Sequence, residues 1–514
     1  MTPASSPNAN EFFNSLLVLL SQKAAWCGRG ARHRLRGLID SELVMDGDGA
    51  DRFGAFVNAL AEVVGHADRV RPLRDYCMGL LTPAERKSVE PLAAVTAPSR
   101  VSAQHQSLLH FVAQSAWSDA RVLAKVLELT LPSITAREPI EAWIIDDTSF
   151  PKKGKHSVGV ARQYSGQLGK QDNCQVAVSL SLANAGASFP IAYRLYLPKD
   201  WAADPARRKK AGVPEEVTFR TKPEIALDQI RAALEAGAPP GVVLMDAGYG
   251  ADTSLRSALA GLGLAYVAGV QPHTSVWTRA NPSPAVRPWS GRGRPTSRMV
   301  RDPDHQPQSV EGLALSLPAE AWEMISWREG SADLLISRFA RVRVRAAHRD
   351  FDRSVPRDEE WLLVEWPTEE EKPTKFWLAT LPENVAFDRL VALAKLRWRI
   401  ERDYQELKQE LGLGHFEGRG WRGFHHHATL CIAAYAFLVA ERARIPPSEP
   451  TRLLAATSVP AGPTRRSPAD PTGASRRELN LHHAPNPNRG PCPKARAMSV
   501  LHGRNTHTAH VVTQ

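Results

Sequence analysis

Two short apolar runs, each closed by an aspartate, constrain this chain more than any other feature. Ala142-Trp143-Ile144-Ile145 leads into Asp146, and Val242-Val243-Leu244-Met245 leads into Asp246. Continuous apolar runs of this length read as strands buried on both faces. The two aspartates then stand at the carboxyl ends of strands, where ligands of open α/β sheets gather. A third acid, Glu401, lies in a long helical stretch that begins near Leu393. Two strand-end carboxylates and one helix carboxylate can converge on a point. Converging anions repel and need compensation, most simply by divalent cations. Two such ions can activate water or a 3′-hydroxyl and stabilise the leaving oxygen of a phosphodiester. Each acid also has a plainer local reading. Asp146 can be a satisfied loop acid, with Asp147 or Thr148 capping a turn, and Asp246 can cap the helix that follows its Gly-rich turn. Glu401 can belong to a solvated face laced with Arg397, Arg399, Arg402 and Lys408.

A chain of 514 residues exceeds one ordinary core, so two or three domains are expected. Its 43% hydrophobic and 23% charged residues are those of a globular protein in water. No apolar run reaches the roughly 20 residues of a membrane span, and no signal peptide is read. Five scattered cysteines, Cys27, Cys77, Cys174, Cys431 and Cys492, argue against a disulfide framework and fit a reducing cytoplasm. A zinc site from His482, His483 and Cys492 has the wrong spacing and ligand count. The net charge of +11 invites a nucleic-acid partner. From Glu441 onward, however, 11 Lys and Arg face 4 Asp and Glu, so the tail supplies +7 of it. Local basic clusters therefore carry more meaning than the total.

Periodicity divides the chain into six stretches. Residues 1–50 are an extension with no assigned role. Residues 51–138 read as a small helical domain, with Phe53, Phe56, Val57, Leu60 and Val63 at helical spacing. Residues 139–270 carry the two Asp-terminated strands, a hairpin of 174–183 with 189–197 around Gly186, and helices near 223–234 and 253–262. Residues 271–382 form a β-rich insertion, with strands expected at 322–328, 334–346, 360–366 and 375–381. Residues 383–442 resume the main domain with one helix over 386–412 and another over 427–442. Residues 443–514 are expected to be a disordered basic tail.

Arg397, Glu401 and Lys408 are four and then seven residues apart, so they share one helix face, which suits a metal ligand beside a phosphate backbone. Lys152, Lys153 and Lys155 follow the first aspartate and can hold phosphate or be a solvated loop. The loop arginines Arg287, Arg292, Arg294, Arg298 and Arg301 can track DNA.

The spacing Ala394-x2-Arg397-x3-Glu401-x6-Lys408 resembles the Tyr-Arg-Glu-Lys signature of DDE transposases from bacterial insertion sequences, with Ala in place of Tyr. IDDTSFPKKG from Ile145 resembles their first-Asp motif and LMDAGYG from Leu244 their second. ERKSVEP from Glu85 and HFVAQSAW from His110 resemble the insertion sequence 701 group. The likeness covers roughly residues 65–440.

It implies an RNase H-like mixed sheet flanked by helices, interrupted by the β-rich insertion. It implies Asp146, Asp246 and Glu401 as the catalytic, metal-binding triad, with Asp147 the competing first ligand, and Arg397 and Lys408 as contacts to DNA phosphates near the cut. Two Mg²⁺ ions are expected because every ligand is an oxygen donor, with Mn²⁺ able to substitute. The expected partners are double-stranded DNA, namely terminal inverted repeats and target, and a second copy of the chain in the assembled complex. The expected setting is the bacterial cytoplasm, at the nucleoid. A tryptophan of the insertion (Trp322, Trp327, Trp361, Trp366 or Trp377) can stabilise an extruded base. The rival readings are an RNase H-like nuclease without strand transfer and a non-catalytic DNA-binding derivative.

Overall fold

The computed structural model describes residues 48–284, 286, 291–292, 297–329 and 334–445. The expectations for the first 47 residues, for the tail from 446, and for Arg287 and Arg294 lie outside the described residues.

The expected helical stretch holds five helices: α1 (Asp48–Val64), α2 (Val70–Leu81), α3 (Val89–Thr96), α4 (Val101–Ala113) and α5 (Asp119–Thr135). Their apolar faces pack partly on one another. They also pack on the last helix of the described chain, running Trp421–Arg444, whose residues are buried almost throughout. That helix starts six residues before the expected 427, because its first turns carry His425, His426 and His427, which periodicity reads as polar. All three are buried and hydrogen-bonded. Leu195 N–H donates to His425 Nε2 at 3.2 Å, and the ring nitrogens of His426 lie 3.1 and 3.0 Å from the carbonyls of Val112 and Trp117. His427 lies between Tyr76 Oη at 2.8 Å and the Gly412 carbonyl at 2.9 Å.

Burial pulls the His426 and His427 rings down to about 4 from an ordinary 6.5. A folded-state value below the unfolded one gives stability that is present above pH 6.5 and lost as the pH falls toward 4. In His427→Gln, therefore, the melting temperature lies below wild type at pH 7.5, and the gap narrows as the pH falls to 4. A gap of constant size on a pH series of thermal melts would show that His427 does not titrate this way.

A twelve-stranded mixed sheet forms the centre. Its first part is β1 (Ala142–Pro151), β2 (Ala161–Ser165), β3 (Lys170–Ala183) and β4 (Ser188–Leu195). The fourteen-residue β3 pairs antiparallel with β1 along its length, from Ala142↔Ala183 to Pro151↔Cys174. Its other edge is shared: β2 takes the first half and β4 the second. The β3–β4 turn forms around Gly186 as expected, with Asn184 Oδ1 accepting from the N–H groups of Gly186 and Ala187. Three helices follow, α6 (Lys199–Ala202), α7 (Pro205–Ala211) and α8 (Lys222–Glu235). A Thr221/Glu224 capping box starts α8. Next come β5 (Val242–Met245), α9 (Ala247–Gly250), α10 (Thr253–Gly261) and β6 (Tyr266–Val270). β5 lies parallel between β1 and β6.

The segment expected as an insertion carries β7 (Ser275–Thr278), β8 (Gln308–Ser309), α11 (Val310–Leu315), β9 (Trp322–Glu329), β10 (Leu334–Ala346), β11 (Glu360–Trp366) and β12 (Lys375–Ala379). It continues the same sheet: β12 returns to pair antiparallel with β6, giving the order β2-β3-β1-β5-β6-β12-β11-β10-β7-β8. A second, smaller core of Val276, Val310, Leu313, Val344, Leu362 and Phe376 lies under these strands.

The helix expected over 386–412 is two, α12 (Phe387–Leu396) and α13 (Trp398–Gln409), broken at Arg397. The Ile400 N–H donates to the Arg397 carbonyl at 3.2 Å, a bond of the 3₁₀ type. α14 (Trp421–Arg444) closes the fold, and among the described residues no helix is long and apolar enough to cross a membrane.

Candidate active site

Asp146 does not end its strand, as its sequence context suggests. Antiparallel pairing with β3 carries β1 on to Pro151, with Asp146 opposite Ser179. Parallel pairing with β5 stops at Ile144↔Leu244, so Asp146 stands two residues beyond that point, where the β1–β5 edge opens. Strand alternation turns Asp146 and Asp147 to opposite faces of the sheet. Asp147 reaches Lys222 Nζ at 2.7 Å, whereas Asp146 Oδ1 accepts from Arg397 Nη2 at 2.9 Å. Asp146 is only 14% exposed at its side chain. Burial pushes its carboxyl up to about 7, against the pull of Arg397, and Asp246 and Asp147 add to the rise.

Asp246 is the N-cap of α9, as the plainer reading has it. Its Oδ1 accepts from the N–H groups of Gly248 at 2.9 Å and Tyr249 at 3.1 Å. That role occupies one oxygen, and Oδ2 lies 3.9 Å from the same Arg397 Nη2 that holds Asp146. Glycine makes this turn possible. A Cβ on Gly250 would lie 1.9 Å from the Gly269 carbonyl oxygen, and one on Gly269 would lie 2.8 Å from Ala247 N. Backbone thus touches backbone where α9 presses on β6.

Glu401 projects from the first turn of α13, 69% exposed, with Oε1 3.4 Å from Arg397 Nη1. The opposite face of α13 is pinned. Asp403 Oδ1 accepts from Ser188 Oγ and Tyr435 Oη, each at 2.8 Å, and Tyr404 Oη bonds Ser179 Oγ. One guanidinium therefore touches all three acids. Burial works against its charge, but Asp146, Asp246 and Glu401 outweigh that burial and hold Arg397 above its ordinary range. Among the described residues, no three acid, His or Cys side chains stand in a ready metal-binding group.

The other cations sit as follows. Lys408 donates to the Ser149 carbonyl at 2.9 Å and lies 5.0 Å from the Phe150 ring, and burial draws its ammonium down to about 8. Lys152 donates to the Phe416 carbonyl at 3.2 Å. Lys153, Lys155 and Arg292 are exposed. Arg298 lies 3.5 Å from Asp352, and Arg301 pairs with buried Asp350 at 2.7 Å.

A cleft of ≈ 420 Å³ opens beside Asp246, Arg397 and Glu401. Its far wall comes from the insertion strands and α12: Trp327, Lys375, Trp377 and Lys395. Of the five tryptophans considered, Trp327 and Trp377 line it. Trp322 packs on Trp366, and Trp361 lies under Arg341 and Arg343. Sequence reasoning missed Lys222, Lys375 and Lys395, whose local text is that of ordinary surface lysines. Their signal is tertiary.

Two acids at the β1–β5 edge of a mixed sheet and a third on a helix beside it make a carboxylate-lined site. Residues 59–333 match the family model described as DDE superfamily endonuclease, and the chain belongs to that family. The match includes Asp146 and Asp246 and ends before Glu401. Over 195 residues the chain is 32% identical to the probable transposase for insertion sequence element IS701 of Microchaete diplosiphon, an alignment covering 38% of this chain and 47% of that protein. The chain thus spans about half the length of the curated relative it matches.

Proposed function

We propose that this chain is a DNA transposase that cleaves and joins the ends of its own insertion sequence. The observation that carries the reading is the convergence of Asp146, Asp246 and Glu401 on the single guanidinium of Arg397. The sheet order β4-β3-β1-β5-β6, antiparallel up to β1 and parallel beyond it, supports an RNase H-like core over 139–270 and 383–442. Residues 51–138 are then the helical part that meets DNA, and 271–382 is the insertion that walls the cleft.

The three acids form an all-oxygen donor set, which fits Mg²⁺ or Mn²⁺. Bound there, the two ions would lower the pKa of a water or 3′-hydroxyl and stabilise the leaving oxygen. The chain's own groups do the rest. The α9 cap fixes Asp246, and β3 pairing fixes Asp146. Lys408 ties α13, the helix that carries Glu401, to β1. Exposed Lys153 and Arg292 would meet the DNA backbone directly. Lys152 and Lys408 reach it only by leaving their carbonyls, and Arg397 only by leaving the acids. The partners are the terminal inverted repeats, the target duplex and, since two ends are joined in one event, a second copy of the chain.

The test uses the full chain, Mg²⁺ and duplexes made from the DNA that borders its coding region on either side, searched for inverted repeats. Cleavage at the repeat end followed by joining of the freed 3′-hydroxyl to a second duplex is the expected outcome. Hydrolysis without joining would make it a nuclease, and binding without cleavage a non-catalytic derivative.

A further inference from the structure

We propose that Arg397 is an internal counter-ion that occupies the acid site while DNA is absent and leaves it when a DNA phosphate arrives, so that DNA binding and divalent-ion loading reinforce each other. This rests on the reading of the three acids as a metal site.

Four observations carry it. The guanidinium reaches all three carboxylates, at 2.9, 3.9 and 3.4 Å, as a bound cation would. Among the described residues, the acids do not stand together as a ready metal-binding group. Arg397 also sits where the helix breaks, between α12 and α13, with a 3₁₀-type bond in place of the regular ladder. Such a break is where a helix can give without unwinding on either side. Finally, the arginine is not locked from behind. Its Nε is buried with no hydrogen-bond partner, and the cleft of ≈ 420 Å³ opens beside it.

Charge balance gives the direction. Three carboxylates against one guanidinium leave the resting site anionic, and close like charges are costly where water is scarce. Two divalent ions would overcompensate the same acids and repel the arginine. A phosphodiester entering the cleft offers it a new, bidentate partner. DNA and metal therefore each favour the state in which Arg397 has swung out, and each must tighten the binding of the other by the same factor. Glu401, being mostly exposed, is free to turn inward as the arginine leaves.

The test is Mn²⁺ titration by calorimetry on the full chain, with and without a repeat-end duplex whose scissile link is an uncleavable 3′-methylene phosphonate, which keeps the negative charge and both non-bridging oxygens. Wild type is expected to bind Mn²⁺ at least about tenfold more tightly with DNA than without. Arg397→Gln is expected to bind it about tenfold more tightly than wild type in the absence of DNA, with little further gain from the duplex. Arg397→Lys, shorter but still cationic, falls between and serves if the glutamine variant does not fold. Unchanged or weaker Mn²⁺ binding in the DNA-free variants overturns the proposal. Asp246→Asn separates the two layers. If it abolishes Mn²⁺ binding while the Arg397 variants match wild type, the counter-ion idea alone fails. If it leaves Mn²⁺ binding intact, the metal-site reading fails and takes the proposal with it.

Discussion

Asp246→Asn removes strand cleavage, by on the order of 10³-fold or more, while folding and end binding persist. The size follows from the loss of an anionic ligand: several kcal/mol of transition-state stabilisation disappear with it, and each 1.4 kcal/mol is tenfold. The selectivity follows from the split use of the side chain. Oδ1 caps α9 through Gly248 and Tyr249, and an asparagine carbonyl does the same at little cost. Oδ2 faces Arg397 and carries the charge that the chemistry needs. The melting temperature should therefore move by no more than a few degrees. Asp146→Asn loses cleavage to a similar extent for a different reason. Its carboxyl is buried and pushed up to about 7, so the amide relieves a desolvation cost, and the metal-free protein should be as stable as wild type or more so. Product gels with end-labelled duplex, mobility shifts and thermal melts measure the three quantities. Wild-type cleavage in Asp246→Asn would remove this residue from the reaction.

Gly250→Ala carries the largest expected cost to the fold. The added methyl would sit 1.9 Å from the Gly269 carbonyl oxygen, with the Gly269 backbone nitrogen and carbon at 3.1 and 3.0 Å. No flexible side chain can give way there. Either α9 lifts off β6 or β6 shifts in the sheet, at about 3 kcal/mol or more, beyond the usual overpacking range. Lifting α9 also swings the Asp246 cap away from Asp146, so cleavage is lost together with stability. Gly261→Ala is the control, because nothing lies within 4 Å of a Cβ at that position in the last turn of α10. It should be neutral or slightly stabilising, since alanine is the better helix former. Equal urea midpoints for the two variants would show that the α9–β6 contact is looser than drawn.

Much of the sheet was legible because its signals are local. Apolar runs of strand length mark β1 and β5, and the strands expected over 334–346 and 360–366 match β10 and β11 end for end. The two aspartates stand at the edges of such runs, whereas Glu401 draws attention only through its place in a helical stretch. What sequence could not supply was pairing. The extension of β1 past Asp146 comes from its partner β3, and the short β2 exists because it fills the free half of that same strand. The insertion reads as a separate block in one dimension yet joins the main sheet through β12 and β6, a contact between segments more than a hundred residues apart. The helix break at Arg397 left no mark in periodicity, since α12 and α13 keep similar apolar spacing. Nor did the text LRWRIER reveal that its first arginine turns inward onto three acids. Lys408 shares the spacing that suggests a phosphate contact, but the structure engages it with the Ser149 carbonyl.

The most direct measurement is an anomalous-difference map from crystals of the full chain grown with Mn²⁺ and a repeat-end duplex. The account predicts manganese peaks within coordination distance of the carboxylates of Asp146, Asp246 and Glu401, about 2.0–2.3 Å from their oxygens, with Arg397 moved out toward a phosphate. Manganese bound elsewhere, or Arg397 still wedged among the three acids with DNA in place, would contradict it.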